Sequence, residues 1–273
     1  MVKKNIWTII ISFLVALIMA LSLTWDLLNA FRLGIYIRNV LIIWPIIYVL
    51  YILLAKIKVS SVHHPFKKRE LIIYGLIIIF VLALAFLIYY PGIVFFDTVV
   101  QIDSALGKFI SNWHPIIETF LFVKIPLLIH ESIVSMTLYQ ECFYLIILLY
   151  LSYFLRKHFF NMRGTIFFLI IFLFNPIFFT LVTNLLKDVP FTGCMLLMVI
   201  FTIEIVLSNE EWLNKVSHRI IFFIVLFGIL FLRHNGLICF LLLLVYLILY
   251  FKKYRRFYLL CFITLIYARM IFY

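Results

Sequence analysis

Ile116-Ile-Glu-Thr-Phe-Leu-Phe-Val-Lys-Ile-Pro-Leu-Leu-Ile129 is the stretch that decides the architecture. It is apolar, but it is short and carries Glu118 and Lys124. Whether it crosses a membrane follows from the basic residues around it. Excess Lys and Arg mark cytoplasmic loops of membrane proteins. Here they fall in five groups: Lys3 and Lys4; Lys56, Lys58, Lys67, Lys68 and Arg69; Arg156, Lys157 and Arg163; Lys215 and Arg219; Lys252, Lys253, Arg255 and Arg256. The second and third groups share a side only if an even number of crossings separates them. Apolar runs at 71–90 and 133–155 already supply two. The 116–129 segment is therefore expected to lie along the membrane surface or to dip in and out. That makes 91–132 one long outer loop with two interfacial helices.

The composition demands a membrane in the first place. Of 273 residues, 67% are hydrophobic and 12% charged, against roughly 45–50% and about 25% in soluble chains. The formal charge of +12 thus points to loop placement and not to nucleic acid. Further apolar runs cover about 6–23, 37–55, 165–183, 190–207, 219–232, 236–251 and 257–272. At about 20 residues per crossing, the expectation is an all-α, multi-pass cell-membrane protein of about nine spans. It forms a single transmembrane domain over 1–273 with no soluble domain. The first run follows Lys3 and Lys4 and is followed by Trp25 and Asp26 without a small-x-small cleavage pattern, which reads as an uncleaved first span with a cytoplasmic N-terminus. Arg32 and Arg38 then fall in the first outer loop, against the charge rule. Cys142, Cys194, Cys239 and Cys261 lie in apolar runs without CxxC spacing and read as core residues.

Ionisable residues at a membrane boundary are candidates for substrate handling, and three outer-face constellations stand out. In Tyr90-Pro-Gly-Ile-Val-Phe-Phe-Asp97-Thr-Val-Val-Gln101, an amphipathic helix starts near Asp97. Its polar stripe would be Asp97, Gln101, Ser104 and Lys108. Asp97 suits a general base or an N-cap, and the two roles are compatible. Asn112-Trp-His114-Pro115 opens the 116–129 helix with Pro at its start. His114 there suits contact with a phosphate or sugar hydroxyl, or is simply solvated. Thr183-Asn-Leu-Leu-Lys187-Asp188-Val-Pro190 is a short outer turn that sets an acid at a helix N-terminus. Arg233-His234-Asn235-Gly236 is a matching tight turn, with an Arg suited to bidentate phosphate contact or to interfacial anchoring.

In these motifs the chain resembles the GT-C membrane glycosyltransferases. More closely, YPGI-x-x-x-Asp97, the His114-Pro115 opening, Lys187-Asp188 and the Arg233-His234-Asn235-Gly236 turn look like a family of uncharacterised bacterial multi-spanning GT-C-like proteins. The resemblance covers about residues 71–240. It implies transfer of a sugar from a polyprenyl-phosphate carrier to an acceptor on the outer face. It also implies Asp97 as the first-loop acid, and Asp188 as the second-loop acid that orients the acceptor or, with Asp97, holds a divalent ion. Substrate contacts would come from His114, Lys187, Arg233, His234 and Gln101. Where the superfamily often has paired acids, Thr98 follows Asp97. The competing expectation is a non-enzymatic transporter, flippase or envelope-assembly subunit, for which Glu141 and Glu204 inside spans are the hints.

Overall fold

The computed structural model describes Leu33–Lys56, residues 67–108 and 114–272, and isolated positions between 9 and 20. It is all-helical, 83% helix, with no strand among the described residues. Two units are present, Met1–Ser61 and Val62–Tyr273. The first contains α1 (Leu33–Lys56), in which the Trp44 indole donates to Ser12 Oγ at 3.3 Å. Most of the expected first span and Arg32 lie outside the described residues. Arg38 lies within α1 and not in a loop, so the objection it raised to the charge rule does not arise as a loop charge.

The second unit contains α2 (Lys68–Ile88), α3 (Phe96–Ala105), α4 (the continuous run 116–129), α5 (Ile133–His158), α6 (Met162–Leu173) and α7 (Pro176–Thr183). It continues with α8 (Asp188–Leu207), α9 (Val216–Phe231), α10 (Gly236–Tyr250) and α11 (Arg255–Phe272). Side-chain caps start several of them. Ser132 Oγ accepts from Ser135 N–H at 3.2 Å to open α5, and Asn161 Oδ1 from Gly164 N–H at 2.8 Å to open α6. α2 and α5 pack together through one stripe each: Tyr74, Ile78, Val81 and Ala85 against Tyr144, Leu148, Leu151 and Leu155. The 4-3-4 spacing keeps each set on a single helix face. The opposite face of α2 is apolar too, with Leu76, Phe80 and Leu87 exposed, as lipid contact requires and water does not.

Among the described residues three helices, α2, α5 and α8, are long and apolar enough to cross a membrane; α6 and α7 make a fourth if counted as one span. That pair covers the apolar run at 165–183, and the chain bends by 70° between Leu173 and Pro176. Asn175 precedes a proline, which disfavours helical backbone. Its Oδ1 instead accepts from Ile177 N–H at 3.0 Å and begins a new helix. The run at 116–129 consists of Ile116–Glu118, a π-helical segment Thr119–Lys124 and Ile125–Ile129. At ~1.5 Å per residue it is roughly 21 Å long, short of the ~30 Å hydrocarbon core. It packs on α3 and on the start of α5.

Charge separates along the bundle. At one end Arg156 of α5 pairs with Glu70 of α2, Nε–Oε2 2.6 Å and Nη2–Oε1 3.2 Å, both side chains nearly buried. Glu204, one of the acids inside the apolar runs, is 1% exposed and lies 3.0 Å from both Lys157 Nζ and His158 Nε2. Glu210 accepts from Lys253 and Tyr254 N–H at 3.1 and 2.9 Å. The loops 89–95, 184–187 and 232–235 gather at the other end.

Candidate functional site

Backbone contacts assemble this second end. After α2, Gly92 adopts φ +138°, and a Cβ there would collide with Thr137 Oγ1. Only glycine fits both demands. Thr137 in turn donates to Pro91 O at 2.8 Å. The chain then runs beside the loop before α8. Ile93 N–H donates to Thr183 O (2.9 Å) and Leu185 N–H to Ile93 O (3.1 Å), forming an isolated parallel bridge of Ile93 with Asn184. Buried Thr98 donates to Leu185 O at 2.8 Å and accepts from Phe95 N–H at 3.3 Å. From α5, Gln140 Nε2 donates to Val182 O and Asn184 O (2.8 and 3.0 Å), and Tyr144 Oη to Val189 O (2.8 Å). The 182–189 segment is therefore held from two sides.

That frame brings the predicted residues together. Lys187 Nζ lies 3.6 Å from Asp97 Oδ2 and 3.0 Å from His114 Nδ1. Asp188, the next residue, meets Arg233 Nε at 2.9 Å, and the guanidinium sits 5.8 Å from the Phe191 ring centroid. The turn carrying Arg233 is fixed by Gly236, where a Cβ would strike Ile229 O. Arg269 of α11 also holds it, donating to Leu230 O at 2.5 Å and His234 O at 3.1 Å.

Three expectations are corrected. Asp97 is not the N-cap of α3: the helix begins at Phe96, Phe95 is the cap, and Thr98 takes its free N–H. Asp97 occupies the first turn with its carboxylate about half exposed, facing Lys187. The stripe Asp97–Gln101–Ser104–Lys108 is not one wet face. Gln101 is buried and its amide donates to Glu118, while Lys108 turns away to Asp103 at 2.6 Å. Nor is His114 solvated. It is 3% exposed, and its Nε2 has no hydrogen-bond partner among the described residues.

The residue that sequence reasoning missed is Glu118. Its place in the amphipathic run suggested an outer-loop acid, yet it is 2% exposed. Burial pushes its carboxyl up to about 8; the Lys187 ammonium and the Gln101 hydrogen bond oppose that shift, and Asp188 adds to it. Burial, then the neighbouring Lys187 ammonium, hold the His114 imidazole below its ordinary value. The unfolded chain releases the Glu118 proton near 4.5 and the folded one near 8. Between those values the folded state binds more protons, so its stability falls as pH rises. The thermal midpoint of the purified protein is expected to drop from pH 5 to pH 8. Glu118→Gln should flatten that slope, with tryptophan fluorescence as the measurement.

Among the described residues no three His, Cys, Asp or Glu side chains cluster as a metal site. Asp97 and Asp188, the expected ligands of a divalent ion, each face a fixed cation. An ion would have to displace Lys187 or Arg233, so this donor set does not fit one. A groove of about 710 Å³ lies between Tyr90, Ile129, Ser132, Ser135 and Tyr139. It shares Leu138 and Cys142 with a second groove of about 230 Å³ along α2 and α5, which reaches Glu141. Cys142, expected in the core, is exposed there. No family model matches the chain, and no curated protein or solved structure matches it either.

Proposed function

We propose that the protein transfers a sugar from a polyprenyl-phosphate carrier to an acceptor hydroxyl at the outer membrane boundary. One observation supports this reading above others: two acids, two fixed cations and a buried imidazole converge at one end of an apolar bundle, under two short helices. Asp97 takes the proton of the acceptor hydroxyl, whose oxygen forms the new bond to the anomeric carbon. The bond from that carbon to the carrier's phosphate oxygen breaks, and its electron pair leaves with the phosphate. Cations at the site stabilise that charge, often the largest catalytic contribution; Arg233 and Lys187 are the cations the sequence offers, with the His114 imidazole as a hydrogen-bonding group. Asp188 orients the acceptor, and the groove over Leu138 and Cys142 gives the prenyl chain a sideways approach.

The reading carries a topology of about nine spans with a cytoplasmic N-terminus. In a background lacking the native cysteines, Leu106→Cys and Leu128→Cys, both exposed positions, are expected to react with an impermeant thiol reagent added outside intact cells. Labelling from opposite faces would remove the surface helix on which the site depends. The activity itself is tested with purified protein and a radiolabelled polyprenyl-phosphate sugar, reading transfer of label to a water-soluble acceptor.

Transport is the second reading, favoured by the 70° break in the α6–α7 pair and by Glu141, which is buried in α5 with Oε1 unpartnered among the described residues. Uptake of a solute by protein vesicles, unaffected by Asp97 replacement, would favour it over transfer.

A further inference from the structure

Both cations assigned to the carrier's phosphate are already engaged: Lys187 by Asp97 and His114, Arg233 by Asp188. Lys124 is not. It stands exposed in the π-helical segment of α4, with no ion pair among the described residues. It lines a cavity of about 250 Å³ between α3 and α4 together with Ser104, Thr119 and His114, walled by Ala105, Ile116 and Phe120.

The His114 contact with Lys187 sets what this cavity can bind. An ammonium has donors and no acceptor, so in the Lys187–His114 contact Nδ1 must accept. A neutral imidazole then carries its proton on Nε2, the atom that is buried and unpartnered. The cavity is therefore lined by an imidazole whose second nitrogen carries a proton, by an ammonium side chain and by two hydroxyl side chains, with no carboxylate among its described lining residues. Such a set suits the oxygens of an oxyanion: the ammonium supplies charge, the N–H and hydroxyls supply direction. Behind it the Gln101 amide N–H donates to Glu118.

We infer that the carrier's phosphate seats in this cavity, on Lys124 and His114, and not on Arg233. The inference rests on the transferase reading for the identity of the ligand and adds the residues that hold it. His114 then joins the two halves of the site, accepting from Lys187 on one nitrogen and donating to the phosphate on the other. Lys187 is positioned beside Asp97, while the leaving group departs on the far side of the imidazole.

The test is binding to the full-length protein in nanodiscs of zwitterionic lipid, with three probes: a polyprenyl monophosphate, the matching uncharged polyprenol, and inorganic phosphate. Lys124→Gln is expected to weaken the polyprenyl monophosphate at least tenfold. Lys124→Arg should restore it to within threefold, and Lys108→Gln, a nearby cation paired with Asp103, should leave it unchanged. Polyprenol binding should not respond to Lys124→Gln, and inorganic phosphate should bind far more weakly than the lipid. Equal loss for polyprenol would mean a folding or packing defect and would overturn the assignment. So would a greater loss in Arg233→Gln than in Lys124→Gln, or inorganic phosphate binding as tightly as the lipid. Lys124-dependent lipid-phosphate binding in a protein that transfers no sugar would sink the transferase reading and leave this one standing.

Discussion

Asp97→Asn is expected to lower sugar transfer by about 10²–10⁴-fold, the range over which a positioned general base acts. The substitution isolates the chemistry because little else depends on the charge. Asn keeps the side-chain shape, and its amide oxygen still faces Lys187, which stays bonded to His114. The helix start is untouched, since Thr98 and not Asp97 satisfies the Phe95 N–H. Carrier binding should persist, so the loss belongs to turnover and not to substrate affinity. A variant that melts like the parent and transfers sugar at the parent rate would remove Asp97 from the mechanism.

The largest expected effect on stability lies at the opposite end. Glu70→Leu leaves the Arg156 guanidinium buried without its carboxylate, a defect that costs about 3–5 kcal/mol. The Glu70–Arg156 pair joins the first turn of α2 to the last turn of α5, the two helices whose stripes form much of the core. Replacing both partners with Leu removes the stranded charge along with its mate, so the double variant should recover most of the loss. Chemical denaturation in detergent of the two single variants and the double variant measures the coupling. Single losses that simply add in the double variant would show that the pair does not act as a unit.

Several of these features are legible in the residues themselves. Apolar runs located the helices because every stretch long enough to pack is also greasy enough to stand out. The short, charged 116–129 run was recognisable as a helix too short to traverse a bilayer. Asp97, His114, Lys187, Asp188 and Arg233 announced themselves as ionisable groups at apolar boundaries. The inward turn of Glu118 and Gln101 was hidden, because it is set by the packing of α3 on α4, which brings the two polar side chains together across 17 residues of sequence. The break at Asn175-Pro176 did leave a signal, an Asn before a Pro, masked by the phenylalanines on either side. The reach of Arg269 to the 230–234 turn left none, since it joins residues far apart in the chain. The number of crossings is the least readable property of all: α9 and α10, with 16 and 15 residues, are apolar without being long.

The Ile93–Asn184 bridge has a consequence for how such a protein can change over time. The splint between its two reactive halves is main chain to main chain, so the identities of residues 93 and 184 matter little to the registration of Asp97 beside Lys187. Drift at those two positions should be cheap as long as proline is avoided at 93 and 185, whose amides make the splint. Innovation in substrate choice can then proceed on the surrounding walls while the spacing between acid and base is inherited unaltered.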